Sequence, residues 1–116
     1  MNRLLLDASV VETLPLRYTP AGVPVLEMRL EHVSSVSEAG GMRRVAFEMA
    51  AVALGDVALM LLGTPAGSPL SLDGFVAPTR KGAARLVLHI QRLAPLPAGD
   101  GSAKASADAG ENRGKT

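Results

Sequence analysis

The segment Arg17-Tyr18-Thr19-Pro20-Ala21-Gly22-Val23-Pro24-Val25-Leu26-Glu27-Met28-Arg29-Leu30-Glu31-His32 constrains the fold more than any other part of the chain. It joins a turn to a sustained alternation. Pro20 presets its own φ, and Gly22 accepts a positive φ two residues on. From about residue 25 to 33, Leu26, Met28, Leu30 and His32 face one way, while Val25, Glu27, Arg29 and Glu31 face the other. A period of two with one apolar face is the pattern of a half-buried antiparallel strand.

The same period recurs on both sides. Residues 2–11 form a first strand with Leu4, Leu6, Ala8 and Val10 on one face, ended by Leu14-Pro15. After the strand at 25–33, the run Ser34 to Gly41 is polar and ends in glycines, which predicts a long, mobile hairpin loop. Residues 42–54 predict a third strand. Val45, Phe47, Met49 and Ala51 point inward there, and Arg44, Ala46, Glu48 and Ala50 outward. A helix competes over 44–54, because alanine is a weak strand former. Asp56 can cap a short helix over 57–62, stopped by Gly63 and Pro65. A fourth strand over 70–77 carries Leu70, Leu72 and Phe75 as core candidates, with Asp73-Gly74 marking a bulge or bend. A fifth strand over 85–93 sets Leu86, Leu88 and Ile90 against Arg85, Val87, His89 and Gln91.

A chain of 116 residues suits one domain, and an apolar content of 47% supplies a core. Aromatics are only 3%, so that core is aliphatic. From Ala94 onward the composition changes, and residues 98–116 contain no Leu, Ile, Val or aromatic. The expected organisation is therefore a domain over 1–96 and a disordered tail over 97–116. Five strands with a short helix between the third and fourth follow the order of an OB-fold, a Greek-key barrel, so the fold class is all-β.

Several function classes fall away. With no cysteine there is neither a disulfide framework nor a thiolate metal site. His32 and His89 have no histidine or carboxylate at metal-ligand spacing, so no metal and no cofactor is expected. Ser34, Ser35 and Ser37 lack a nucleophile-elbow context, and Glu27 and Glu31 read as a solvated strand face. No Lys-Ser/Thr follows the glycines at 40–41 or 63–67, so a phosphate loop is absent. An enzyme is not expected. The N-terminal apolar run is too short for a secretory signal, and no stretch approaches a membrane span, which predicts a cytoplasmic protein without membrane contact.

Basic residues carry the remaining signal. Arg17 precedes the first turn, Arg43 and Arg44 close the long loop, and Arg80, Lys81 and Arg85 cluster before the fifth strand. On a barrel these regions can flank the second and third strands and make a groove for a phosphate backbone. Ordinary surface charge explains such a run equally well. Tyr18 is the candidate base-stacking platform, since Phe47 and Phe75 fall in core positions.

Beyond these patterns, the chain resembles the primosomal replication protein N (PriB) family of the single-stranded-DNA-binding OB-fold superfamily. The resemblance spans about residues 2–96 and rests on Asn2-Arg3-Leu4, Pro20-Ala21-Gly22-Val23-Pro24, Leu30-Glu31-His32, Glu38-Ala39-Gly40, Asp73-Gly74-Phe75 and Leu86-Val87-Leu88-His89. It implies a homodimer that binds single-stranded DNA in the replication-restart primosome. It also implies contact with the primosomal helicase and help in loading the replicative helicase. Family DNA-binding positions match at Arg17, Arg80, Lys81 and Arg85. Departures stand at Gly41 and Ala46, where the family has aromatics, and at Val33, where it has a basic residue. Those departures imply weak, salt-sensitive binding dominated by charge, or an OB-fold protein-interaction adaptor with little DNA binding of its own.

Overall fold

A computed structural model describes residues 1–97; the tail expected over 97–116 therefore lies, from residue 98, outside the described residues. The elements in order are β1 (Leu4–Thr13), β2 (Arg17–Tyr18), β3 (Pro24–Glu38), β4 (Gly41–Leu54), α1 (Asp56–Leu61), β5 (Pro69–Pro78) and β6 (Leu86–Pro95). The two-residue β2 is an addition to the expected set. Residues 44–54 are strand, so the β-branched and aromatic positions of β4 prevail over its alanines.

The sheet order is β1-β5-β6-β4-β3, and a further β1–β3 pairing closes it into a five-stranded barrel, with β2 attached to the start of β3. All pairings are antiparallel except β4–β6. The inward faces follow the period of two. Ala8 and Val10 of β1, Leu26, Met28 and Leu30 of β3, Ala51 and Ala53 of β4, Leu70 and Leu72 of β5, and Leu88 and Ile90 of β6 meet in one core. On β4, Ala51 and Ala53 lie beside Met28 and Leu26 of β3 and Leu88 and Ile90 of β6, so small side chains sit among large ones and the core fills without an aromatic.

Helix α1 follows the third barrel strand and buries Ala58 and Leu61 completely against that core. So short a helix owes its stability to this packing. Its cap differs from the sequence expectation. Gly55, at φ 73°, is the N-cap, while Asp56 is the first helical residue and makes no capping hydrogen bond. The Asp56 carboxylate still lies in the first turn, where the helix dipole favours negative charge.

Two bulges set which charged residues leave the core. In β1–β3 the register shifts between Val10 and Glu12, so that Glu12 pairs with Arg29. Without the extra residue, Glu12 would share the inward face of Val10. In β5–β6 the register shifts between Asp73 and Gly74: Asp73 pairs with Arg92, Gly74 with Ile90, and Gln91 is the extra residue. This turns Arg92 outward and Leu93 toward the core. Arg3 and Arg92 then share Asp73, at 2.8 and 3.3 Å from its Oδ2. The hydrogen bond from Arg3 holds the Asp73 carboxyl below its ordinary range, and the charges of Arg3 and Arg92 act in the same direction.

The aromatic assignments of the sequence reading need correction. Phe75 lies on the outer face, because Leu70, Leu72 and Gly74 take the inward positions of β5; it is half-buried and stacks on His89 with ring centroids 4.7 Å apart. Phe47 keeps the expected register but is 41% exposed. The β3–β4 ladder continues past the barrel, and Phe47 sits where the barrel wall has ended, stacked on His32 at 5.0 Å.

The expected loop over 34–41 is likewise strand. The β3–β4 ladder is unbroken from Val25↔Leu54 to Glu38↔Gly41 and turns at Ala39-Gly40. A strand of 15 residues at about 3.3 Å each matches the 50 Å long axis of the molecule.

Candidate nucleic-acid interface

The register of β3–β4 divides the hairpin into two faces. Leu26, Met28, Leu30 and His32 with their partners Ala53, Ala51, Met49 and Phe47 continue the core side. The outer side carries Glu27↔Val52, Arg29↔Ala50, Glu31↔Glu48, Val33↔Ala46 and Ser35↔Arg44. A groove of about 500 Å³ lies on this outer side. Its floor includes Ala50, Val52 and Val87; Glu12 and Leu14 at the end of β1 border it on one side, and Thr79 and Arg85 on the other.

Two connections lie at the sides of this face, and the one between β5 and β6 borders the groove through Thr79 and Arg85. Between β1 and β3 the chain turns at Thr19-Pro20-Ala21-Gly22, where the Gly22 amide donates to the Thr19 carbonyl at 2.8 Å and Gly22 takes φ 86°. Between β5 and β6 the loop closes through the Thr79 amide donating to the Arg85 carbonyl at 3.0 Å. Inside it, the Ala83 amide donates to the Arg80 carbonyl, also at 3.0 Å. This compact turn holds Arg80, Lys81 and Arg85 exposed beside the groove.

The predicted site residues separate into three groups. Arg85 lines the groove, and Arg44 lies farther along the same outer side. Together with Arg80 and Lys81, they have no carboxylate partner among the described residues. Arg17 pairs with Val25 in register and so shares the outer side, but its guanidinium is held by Glu27 at 2.7 Å. Arg43 and Tyr18 are not brought to this side. Arg43 is opposite Val36, on the face that continues the core, and is paired with Glu38 at 3.1 Å. Tyr18, 60% exposed, follows Arg17 along β2 and so points the other way.

Arg29 is the residue that sequence reasoning missed. It lies on the outer side between Glu12, at 2.6 Å, and Glu48, at 2.9 Å. The alternation Glu27-Arg29-Glu31 placed it on this face. Only the bulge in β1, invisible in the sequence, brings Glu12 to it. The face is thus a mosaic of charge around an apolar floor, with no aromatic on the outer side of β3 or β4. Such a surface can hold a polyanion by its unpaired cations, and no ring for base stacking lines the groove.

His32 has a structural role. The Asp7 carbonyl can only accept, so His32 Nδ1 donates to it at 2.6 Å, while Nε2 meets Ser34 Oγ at 2.7 Å. These contacts bridge the gap where β1 and β3 diverge. Among the described residues no cluster of His, Asp or Glu is arranged to hold a metal ion.

Comparisons with known proteins agree with this architecture. Residues 2–92 match the family described as "Another single-strand binding protein family". Replication restart protein PriB of Bordetella pertussis (strain Tohama I) is 50% identical over 92 residues, covering 79% of this chain and 86% of that protein. The solved structure of PriB from Ralstonia solanacearum superposes with a TM-score of 0.75 at 38% identity, covering 82% of this chain and 97% of that one. The wild-type single-stranded DNA binding protein of Thermus aquaticus has the same fold. Its TM-score is 0.67 at 21% identity, over 84% of this chain and 51% of that one.

Proposed function

This chain belongs to the PriB family of single-strand binding proteins, and from that premise we propose that it is a single-stranded-DNA-binding accessory protein of the replication-restart primosome. In this role it stabilises the primosomal helicase on DNA and helps load the replicative helicase. The observation that carries the DNA-binding part is the grouping of Arg44, Arg80, Lys81 and Arg85, cations without carboxylate partners among the described residues, along and beside the outer groove. Arg17 joins them when a phosphate displaces Glu27. Arg43 and Tyr18, on the other side of the sheet, contribute only if the strand wraps around the hairpin.

The homodimer expected from the resemblance is supported by β1. It pairs with β5 over Leu4–Ser9 and with β3 only from Ser9 onward. Among the described residues, Leu4 to Ala8 thus present one strand edge without a ladder partner, beside Leu5, which is 64% exposed. A second copy adding its own β1 satisfies both. No helix of the described residues is long and apolar enough to cross a membrane, and the proposed role places the protein in the cytoplasm.

A second reading, a protein-interaction adaptor, draws on the neutralised Arg17 and Arg29 and on the missing aromatics. One experiment separates the two. Replacing Arg80, Lys81 and Arg85 together by alanine lowers affinity for a fluorescent oligothymidine by at least about tenfold at low salt, given the weight of phosphate contacts in such binding. It leaves helicase binding in place. An unchanged oligonucleotide affinity favours the adaptor.

A further inference from the structure

Two arginines on the outer side are already occupied: Arg29, which lines the groove, and Arg17, opposite Val25 near its end. Glu27 holds Arg17 through both Nε and Nη2, at 3.1 and 2.7 Å. Glu12 and Glu48 hold Arg29 from opposite sides at 2.6 and 2.9 Å. A carboxylate accepting two guanidinium N–H bonds offers the same planar contact that a phosphate makes. All five side chains are about half exposed, so water and salt reach them and the pairs are individually weak. Meanwhile Arg44, Arg80, Lys81 and Arg85 have no such partner among the described residues.

We propose that Glu12, Glu27 and Glu48 are affinity-setting residues: they occupy Arg17 and Arg29 as internal substitutes for phosphate and must be displaced before the groove can grip a nucleic-acid backbone. The inference rests on the DNA-binding reading above. It assigns a role to residues that touch the arginines, not the DNA. Binding then proceeds in two parts. The unpaired cations make the first contacts, and each clamped arginine joins only by exchanging a carboxylate for a phosphate. The clamp keeps the complex weak enough to release the strand.

Glu31 supplies the internal control. It lies on the same side, directly opposite Glu48, and has no basic partner among the described residues. Removing its charge lessens general repulsion of DNA without freeing an arginine. It also relieves Glu48 of a like-charged neighbour, which tightens the hold on Arg29.

The test compares oligothymidine binding across a salt series for the wild-type chain, Glu27→Gln, the double variant Glu12→Gln/Glu48→Gln, and Glu31→Gln. Circular dichroism verifies that each is folded. Glu27→Gln and the double variant are expected to bind about threefold or more tightly, with a log–log salt slope steeper by about 0.7 for each arginine freed. Glu31→Gln gives a smaller gain and the wild-type slope. Adding Arg17→Ala to Glu27→Gln cancels that variant's gain. Equal gains in all variants with unchanged slopes overturn the proposal in favour of general repulsion. If the wild type binds and no variant gains, the clamp is refuted while the DNA-binding reading stands. If neither the wild type nor any variant binds at low salt, both fail.

Discussion

Gly74 is the one described glycine at which an added side chain would meet the barrel itself. A Cβ there would collide with the His89 carbonyl group of the neighbouring strand and press on the Ile90 Cα. This contact exists because the bulge at Gln91 brings β6 inward just where Gly74 takes a core position. Backbone cannot yield as a flexible side chain can, so Gly74→Ala is expected to lower stability by about 1–3 kcal/mol, the cost typical of overpacking. A shifted urea midpoint at unchanged m-value measures it, and an unshifted midpoint contradicts the close approach. The sequence marked Asp73-Gly74 as irregular but not which strand carries the extra residue. For that reason Phe75 read as core, whereas β5 keeps its alternation and sends Phe75 out to His89. Phe47 misled differently: its side was legible from periodicity, but its burial depends on how far the neighbouring strands extend, which local pattern does not encode.

The β3–β4 hairpin carries the same lesson at the scale of an element. Its barrel half was legible because Leu26, Met28 and Leu30 alternate with charged residues. Its outer half, Ser34 to Glu38, has no buried side from which alternation could emerge, so polar composition read as loop. The turn has its own signature. Ala39 at φ 52° and Gly40 at φ 80° are both left-handed, as a two-residue hairpin turn of the mirror-image type requires. Alanine is strained there, and asparagine is not. Ala39→Asn is therefore expected to stabilise the protein by about 0.5–1 kcal/mol, read as a higher melting temperature. A lower one contradicts the turn geometry. The positions of Arg43 and Arg44 follow from the same ladder. Adjacent in sequence, they leave on opposite sides, so the pair cannot act as one basic patch, although the sequence presents it as one.

At the scale of the whole molecule, barrel closure leaves two surfaces with unmet demands: the free edge of β1 from Leu4 to Ala8, and the unpaired cations beside the groove. The first predicts self-association. Leu5→Glu places a charge on the edge that the second copy covers, so the variant is expected to sediment as a monomer at micromolar concentration where the wild type is a dimer. A wild-type monomer contradicts that assignment. The second surface carries the central claim, that a groove without stacking aromatics binds single strands through charge. The most direct measurement is the affinity for a labelled oligothymidine between about 50 and 200 mM salt. The four cations beside the groove that are unpaired among the described residues, each contributing about −0.7, give a log–log slope near −3 and a loss of about fiftyfold over that range. An affinity that stays within about twofold across the series, or no binding at its low end, contradicts the account.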